Sequence, residues 1–123
     1  MKWLFRWRKT ITARNRPFVT PDEQHSGWEI VLWLGEPFDH TIPFRATLDR
    51  IVELLGGPDA AEIELPPYDE NEDFAHGTLR LGVRRFRIYY EYSLGYLSLY
   101  GPDRAPLEEL ARRLSPNVKV RLV

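Results

Sequence analysis

The sequence predicts an α+β fold: an antiparallel sheet of about five to six strands with two helices packed on one face. Three observations lead there. Two segments repeat apolar residues at a helical period, and each has one apolar side only. Several other segments alternate apolar and polar residues at period two. In the second half, the alternating segments are joined by glycine-bearing turns too short for a parallel crossover. A chain of 123 residues has the length of one domain, so residues 1–123 are read as a single unit. A composition 43% hydrophobic and 28% charged is that of a globular protein and excludes wholesale disorder.

Residues 2–12 place Trp3, Phe5 and Trp7 on one side and Arg6, Arg8 and Thr10 on the other, which predicts a half-buried strand. Residues 13–27 hold two prolines and many polar side chains and read as a loop. Residues 28–34 are the best central strand. Trp28, Ile30, Leu32 and Leu34 line one face, and Val31 with Trp33 make the other largely apolar as well. After a turn containing Pro37, the stripe Phe44, Leu48, Ile51, Val52 and Leu55 predicts a helix, closed by Gly56-Gly57-Pro58. Thr41 and Pro43 compete to start it.

Residues 59–75 are acidic and contain Pro66-Pro67, so no long element fits, although Ile63-Glu64-Leu65 can pair briefly. Strands follow at 77–82, 84–92 and 95–100, joined as two hairpins. In the middle one, Phe86, Ile88, Tyr90 and Tyr92 alternate with Arg85, Arg87, Tyr89 and Glu91. Residues 102–114 form a second helix through Leu107, Leu110, Ala111 and Leu114. Asp103 stands at its start and Arg112-Arg113 in its last turn, as the helix dipole favours. Val118, Val120 and Leu122 alternate with Lys119 and Arg121 in a final strand.

No motif names a reaction. The chain has no cysteine, which removes disulfides, thiolate metal sites and cysteine nucleophiles. Ser26, Ser93, Ser98 and Ser115 lie in no nucleophile motif, and no glycine-rich phosphate loop occurs. His25, His40 and His76 are too far apart for a helical zinc pair and read as loop histidines. Asp69, Asn71 and Asp73 resemble the start of a calcium loop. Phe74 then stands where that loop needs glycine, and Arg80 where it needs glutamate. No catalytic residue, metal or cofactor is therefore assigned, and binding is favoured over catalysis. The apolar run 3–5 is broken by Arg6, and no stretch approaches the ~20 apolar residues of a membrane span. A cytoplasmic protein without a membrane partner is expected.

The net charge of −1 conceals three blocks. Residues 1–17 carry six bases and no acid. Residues 18–73 carry fourteen acids against Arg45 and Arg50. Residues 74–123 carry nine bases against four acids. Such asymmetry speaks of partners. The acidic block nominates Glu62, Glu64, Asp69, Glu70, Glu72 and Asp73 as a face for a basic partner protein, with Tyr68 and Phe74 as aromatic anchors. The alternative is a nucleic-acid or regulatory module using the basic N-terminal segment and the strand through Arg84, Arg85 and Arg87, with Tyr89 for base stacking. A pI near 6.3, far from the ~9 of such modules, favours the acidic face. The blocks also have the option of neutralising each other within the fold.

One stretch has a family likeness. The helix through Ile51, Val52, Leu54 and Leu55 ends in Leu-Gly-x-Pro-Asp at 55–59. Beyond an acidic loop come Gly77-Thr78-Leu79-Arg80-Leu81-Gly82, then Phe86-Arg87-Ile88-Tyr89-Tyr90, a short turn, and Gly95-Tyr96-Leu97-Ser98-Leu99. Over residues 44–101 this resembles the small bacterial immunity proteins that neutralise toxins of polymorphic or contact-dependent systems. The resemblance implies a non-catalytic inhibitor that binds one toxin or effector domain and covers its active site. It assigns no interface residue and no oligomeric state.

Overall fold

The computed structural model describes residues 10–121. The alternation predicted over residues 2–9, and Leu122 of the final strand, lie outside them. The elements in chain order are β1 (Ile11–Ala13), β2 (Val19–Pro21), β3 (Trp28–Trp33), α1 (Phe44–Leu54), β4 (Ala61–Glu64), β5 (Phe74–Leu81), β6 (Arg84–Glu91), β7 (Tyr96–Gly101), α2 (Arg104–Leu114), a 3₁₀ turn (Ser115–Asn117) and β8 (Val118–Val120). The fold is α+β, as predicted. Six strands form one sheet in the order β2-β3-β7-β6-β5-β4, and every neighbouring pair is antiparallel.

Two features differ from the sequence reading. The first and last strands do not extend the main sheet. They pair with each other in parallel, Ile11 opposite Val118 and Ala13 opposite Val120. A parallel pair needs a long connection, and here nearly the whole chain supplies it. The loop expected over 13–27 also holds a short strand, β2, with Val19 opposite Ile30. The brief pairing expected near Ile63 does form, as β4.

The sheet has an apolar face and a polar face. Ile30 and Leu32 of β3, Leu97 and Leu99 of β7, Ile88 and Tyr90 of β6, and Leu79 of β5 all point one way and are buried. Phe44, Leu48 and Ile51 of α1 and Leu107, Leu110 and Leu114 of α2 join them in one cluster, together with Ile11 and Val118 of the parallel ladder. Both helices and the ladder thus cover the same face. Among the described residues no second layer covers the other.

Turn chemistry closes the sheet. Gly82 and Gly95 take φ of +62° and +66° in the β5–β6 and β6–β7 turns. At Gly95 a side chain is excluded twice. The positive φ disfavours one, and a Cβ there would sit 2.5 Å from the Gly35 carbonyl oxygen. The close approach is used, since the Leu34 amide donates to the Gly95 carbonyl at 2.8 Å. Gly95→Ala is therefore expected to destabilise the fold by more than about 1 kcal/mol. A urea denaturation midpoint equal to that of the parent chain would refute this role.

Candidate functional site

The acidic residues nominated from sequence do not form one surface. Residues 65–73 connect β4 to β5, and within this loop Glu72 turns inward. Its side chain is only 5% exposed. One carboxylate oxygen accepts from Arg45 Nη2 at 2.5 Å, and the other accepts from the Tyr90 hydroxyl at 2.6 Å. Arg45 stands on the first turn of α1. It also donates to the Pro66 carbonyl at 2.9 Å and lies 5.4 Å from the centre of the Tyr68 ring. One guanidinium thus holds the start and the end of the loop. The bond to Glu72 raises the Arg45 pKa above its ordinary value. Burial, and then the bond to the Glu72 carboxylate, push the Tyr90 hydroxyl up. The Tyr90 ring stacks on Phe44 with centroids 4.8 Å apart, which ties the cluster to the core.

With Glu72 facing in, Asp69, Glu70 and Asp73 face out beside Tyr68, all four exposed. The Asp69 carboxylate accepts from the Asn71 amide at 2.8 Å, and the Asp69 carbonyl accepts from the Glu72 amide at 2.9 Å. This local turn sets the direction of the tip. Glu62 and Glu64 lie elsewhere. They alternate with Ala61 and Ile63 on β4, so they stand on the uncovered sheet face at its edge. Glu62 pairs there with Arg80 at 3.1 Å. Phe74 opens β5 on that same face. The nominated residues therefore split into a loop tip (Tyr68, Asp69, Glu70, Asp73), a sheet-edge group (Glu62, Glu64, Phe74) and one inward carboxylate.

The uncovered face carries more than the acidic reading foresaw. Strand register sets Trp33, Tyr96, Glu91 and Phe74 in one row across β3, β7, β6 and β5. The next row holds Val31, Ser98, Tyr89 and His76. The rings form a contiguous surface. Trp33 lies 5.3 Å from Tyr96, Tyr96 is 5.9 Å from Tyr89, and Tyr89 is 4.8 Å from His76 and 6.2 Å from Phe74. His76, expected in a loop, is thus a strand residue packed on a tyrosine. Carboxylates are interleaved with hydroxyls. Glu29 accepts from Ser98 at 2.8 Å and from Tyr96 at 3.2 Å, and Glu91 accepts from Ser93 at 2.7 Å and from Tyr89. Burial, assisted by Glu29, pushes the Tyr96 hydroxyl up to about 12, and burial with Glu91 raises that of Tyr89.

At the other end of this face stand Arg85 and Arg87. Both are exposed and make no hydrogen bond or ion pair among the described residues. The alternation within β6 signalled this side of the strand. The aromatic partners from β3 and β7 carried no local signal, because their neighbours are set by register.

Elsewhere, an open cleft of about 370 Å³ lies between the end of α1, the β5–β6 turn and α2, with Leu55, Leu81, Phe86 and Leu110 among its lining residues. Its Arg113 donates to the Leu55 carbonyl at 3.2 Å, closing the helix end. Among the described residues no group of three or more His, Asp or Glu could hold a metal ion, and no helix is long and apolar enough to cross a membrane. No family model matches the chain, no curated protein matches it, and no solved structure does.

Two outcomes follow from the geometry. Glu72→Ala strands a half-buried guanidinium and the Tyr90 hydroxyl, and is expected to cost about 3 kcal/mol in chemical denaturation. A loss below about 1 kcal/mol would mean that the cluster does not hold the loop. The second concerns alkali. The Tyr96 hydroxyl is more acidic in the unfolded chain, near 10, than in the folded one. Its contribution to stability is complete below pH ~10 and is lost as pH rises toward ~12. The urea midpoint should fall across that window, and Tyr96→Phe should make the fall shallower. An equally steep fall in the variant would remove Tyr96 from the account.

Proposed function

We propose that this chain is a non-catalytic binding protein that acts in the cytoplasm and neutralises a cognate bacterial toxin by docking on it through the acidic loop. One observation carries the reading. The loop between β4 and β5 is clamped from inside by Arg45, so its outward carboxylates at Asp69, Glu70 and Asp73 sit on a fixed frame beside Tyr68. A preformed loop loses less conformational freedom on binding than a floppy one. Like-signed carboxylates also steer a basic partner and exclude acidic ones. A toxin that acts on nucleic acid keeps a cationic cleft, and three outward carboxylates mimic the phosphates such a cleft receives. The likeness of residues 44–101 to immunity proteins supports the same reading.

A second reading has its own observation. Arg85 and Arg87 are unpaired and lie on the same strand face as Tyr89, the arrangement that cradles a single-stranded backbone with one base stacked. Glu29 and Glu91 share that face and oppose a polyanion.

The double variant Glu70→Lys, Asp73→Lys, which spares the Asp69 turn, is expected to keep the thermal melt of the parent. In calorimetry against a basic toxin domain that the parent chain binds, it should weaken binding at least about a hundredfold, a little over 2.7 kcal/mol. Undiminished affinity would move the interface away from the loop. Tight binding of the parent chain to an eight-nucleotide single strand at ~150 mM salt would instead favour the second reading.

A further inference from the structure

We propose that the uncovered face of the six-stranded sheet binds a second copy of this chain, the two faces stacked with their strands antiparallel. The argument rests on the sign pattern along β6. Its outward side chains read Arg85, Arg87, Tyr89, Glu91. This series is cationic at one end and anionic at the other, with an aromatic ring beside the second cation.

A two-fold axis lying between the sheets, across the strands at the level of Ile88, sets each β6 over its counterpart in the reverse direction. Arg85 of one copy then meets Glu91 of the other, and Arg87 meets the Tyr89 ring. Both contacts occur twice, as an isologous interface requires. The neighbouring strand follows the same rule. On β5, Arg80 lies opposite Arg85 and Phe74 lies opposite Glu91. The same axis therefore brings Arg80 of one copy over Phe74 of the other, a second cation on a ring. Aligned sheets pack with their strands within about 30° of each other, so neighbouring rows remain within side-chain reach of these pairings.

Two facts favour a second copy over an unrelated occupant. Arg85 and Arg87 have no partner among the described residues, while the aromatic rings at the opposite end of the face are exposed or half-exposed, Trp33 by 42% and Phe74 by 55%. Along β6 each end of the face carries the charge that the other end lacks. The area is also adequate. Strands β3 to β5, about 4.8 Å apart and up to about 26 Å long, give on the order of 500 Å² of flat sheet per copy. That is at the threshold of a specific interface, near about 1,000 Å² in total.

Sedimentation equilibrium of the full chain tests this directly. The parent should show a monomer–dimer equilibrium that weakens as salt rises from ~50 to ~500 mM. Arg85→Glu and Glu91→Arg should each raise the dissociation constant at least about tenfold. Mixed in equal amounts, the two variants should associate with near-parental affinity, because every cross-copy pair is then again of opposite charge. Arg87→Glu, at an exposed position with no internal partner, provides an independent disruption whose fold is checked by circular dichroism. The proposal is overturned by a parent that stays monomeric up to ~500 μM, by a dimer indifferent to these substitutions, or by a mixture no tighter than either variant alone. A monomeric parent whose face takes up an eight-nucleotide single strand overturns it as well. Toxin binding through the acidic loop is scored separately, since Asp69, Glu70 and Asp73 take no part in the stacked pairs.

Discussion

A sheet that the described residues cover with an apolar layer on one side only is the constraint on which the rest of the fold depends. Ile88 sits at its centre, fully buried, between Leu99 on β7 and Gly77 on β5. Burying that face is the main favourable term available to a chain of this size. It dictates where α1, α2 and the β1–β8 ladder must lie, since each has one apolar side to hide and there is one apolar face to hide it against. The cost of the arrangement is a second face that no other described residues cover. The chain meets it with half-polar rings whose hydroxyls are satisfied by Glu29 and Glu91, so the surface stays hydrated without losing its order.

The Glu72 cluster transmits this order to the loop. A carboxylate taken out of water is expensive, and the cost is recovered only if its oxygens are well bonded. Here one oxygen faces a guanidinium and the other a tyrosine hydroxyl that stands on the buried side of β6. Among the described residues no buried side-chain nitrogen or oxygen is left without a partner. The loop is therefore specified by the same strand that forms the centre of the core. Its outer residues are free to carry charge because its inner one has settled the conformation.

Sequence reading succeeded where period and burial coincide. Phe44, Leu48 and Ile51 announced α1, and Leu107, Leu110 and Leu114 announced α2, because each stripe faces a single layer. The β6 alternation was legible for the same reason. It failed where a neighbour distant in sequence decides. Val19 to Pro21 look like loop and become a strand because the register of β3 accepts them. Trp33 reads as the second buried face of a central strand, yet among the described residues no layer buries it. Glu72 is chemically indistinguishable from Glu70 two positions earlier. Only the place of Arg45 on α1 and of Tyr90 on β6 turns one in and leaves the other out. The folded chain made the distinction that composition could not.

The charge blocks acquire a physical meaning at this point. Some of the acidic block is neutralised internally, by Arg45 on Glu72 and by Arg80 on Glu62. Arg14 on Glu36 adds a pair from the N-terminal basic block, while other charges stay single. Asp69 and Glu70 at the loop tip, and Arg85 and Arg87 on the sheet, form no ion pair among the described residues. Since exposed pairs contribute little to stability, leaving these charges single costs the fold almost nothing. What they retain is a field, negative at the loop and positive at one end of the sheet, directed outward from a frame rigid enough to hold it. An arrangement in which inward charges are spent on conformation and outward charges are kept unpaired serves recognition better than it serves stability.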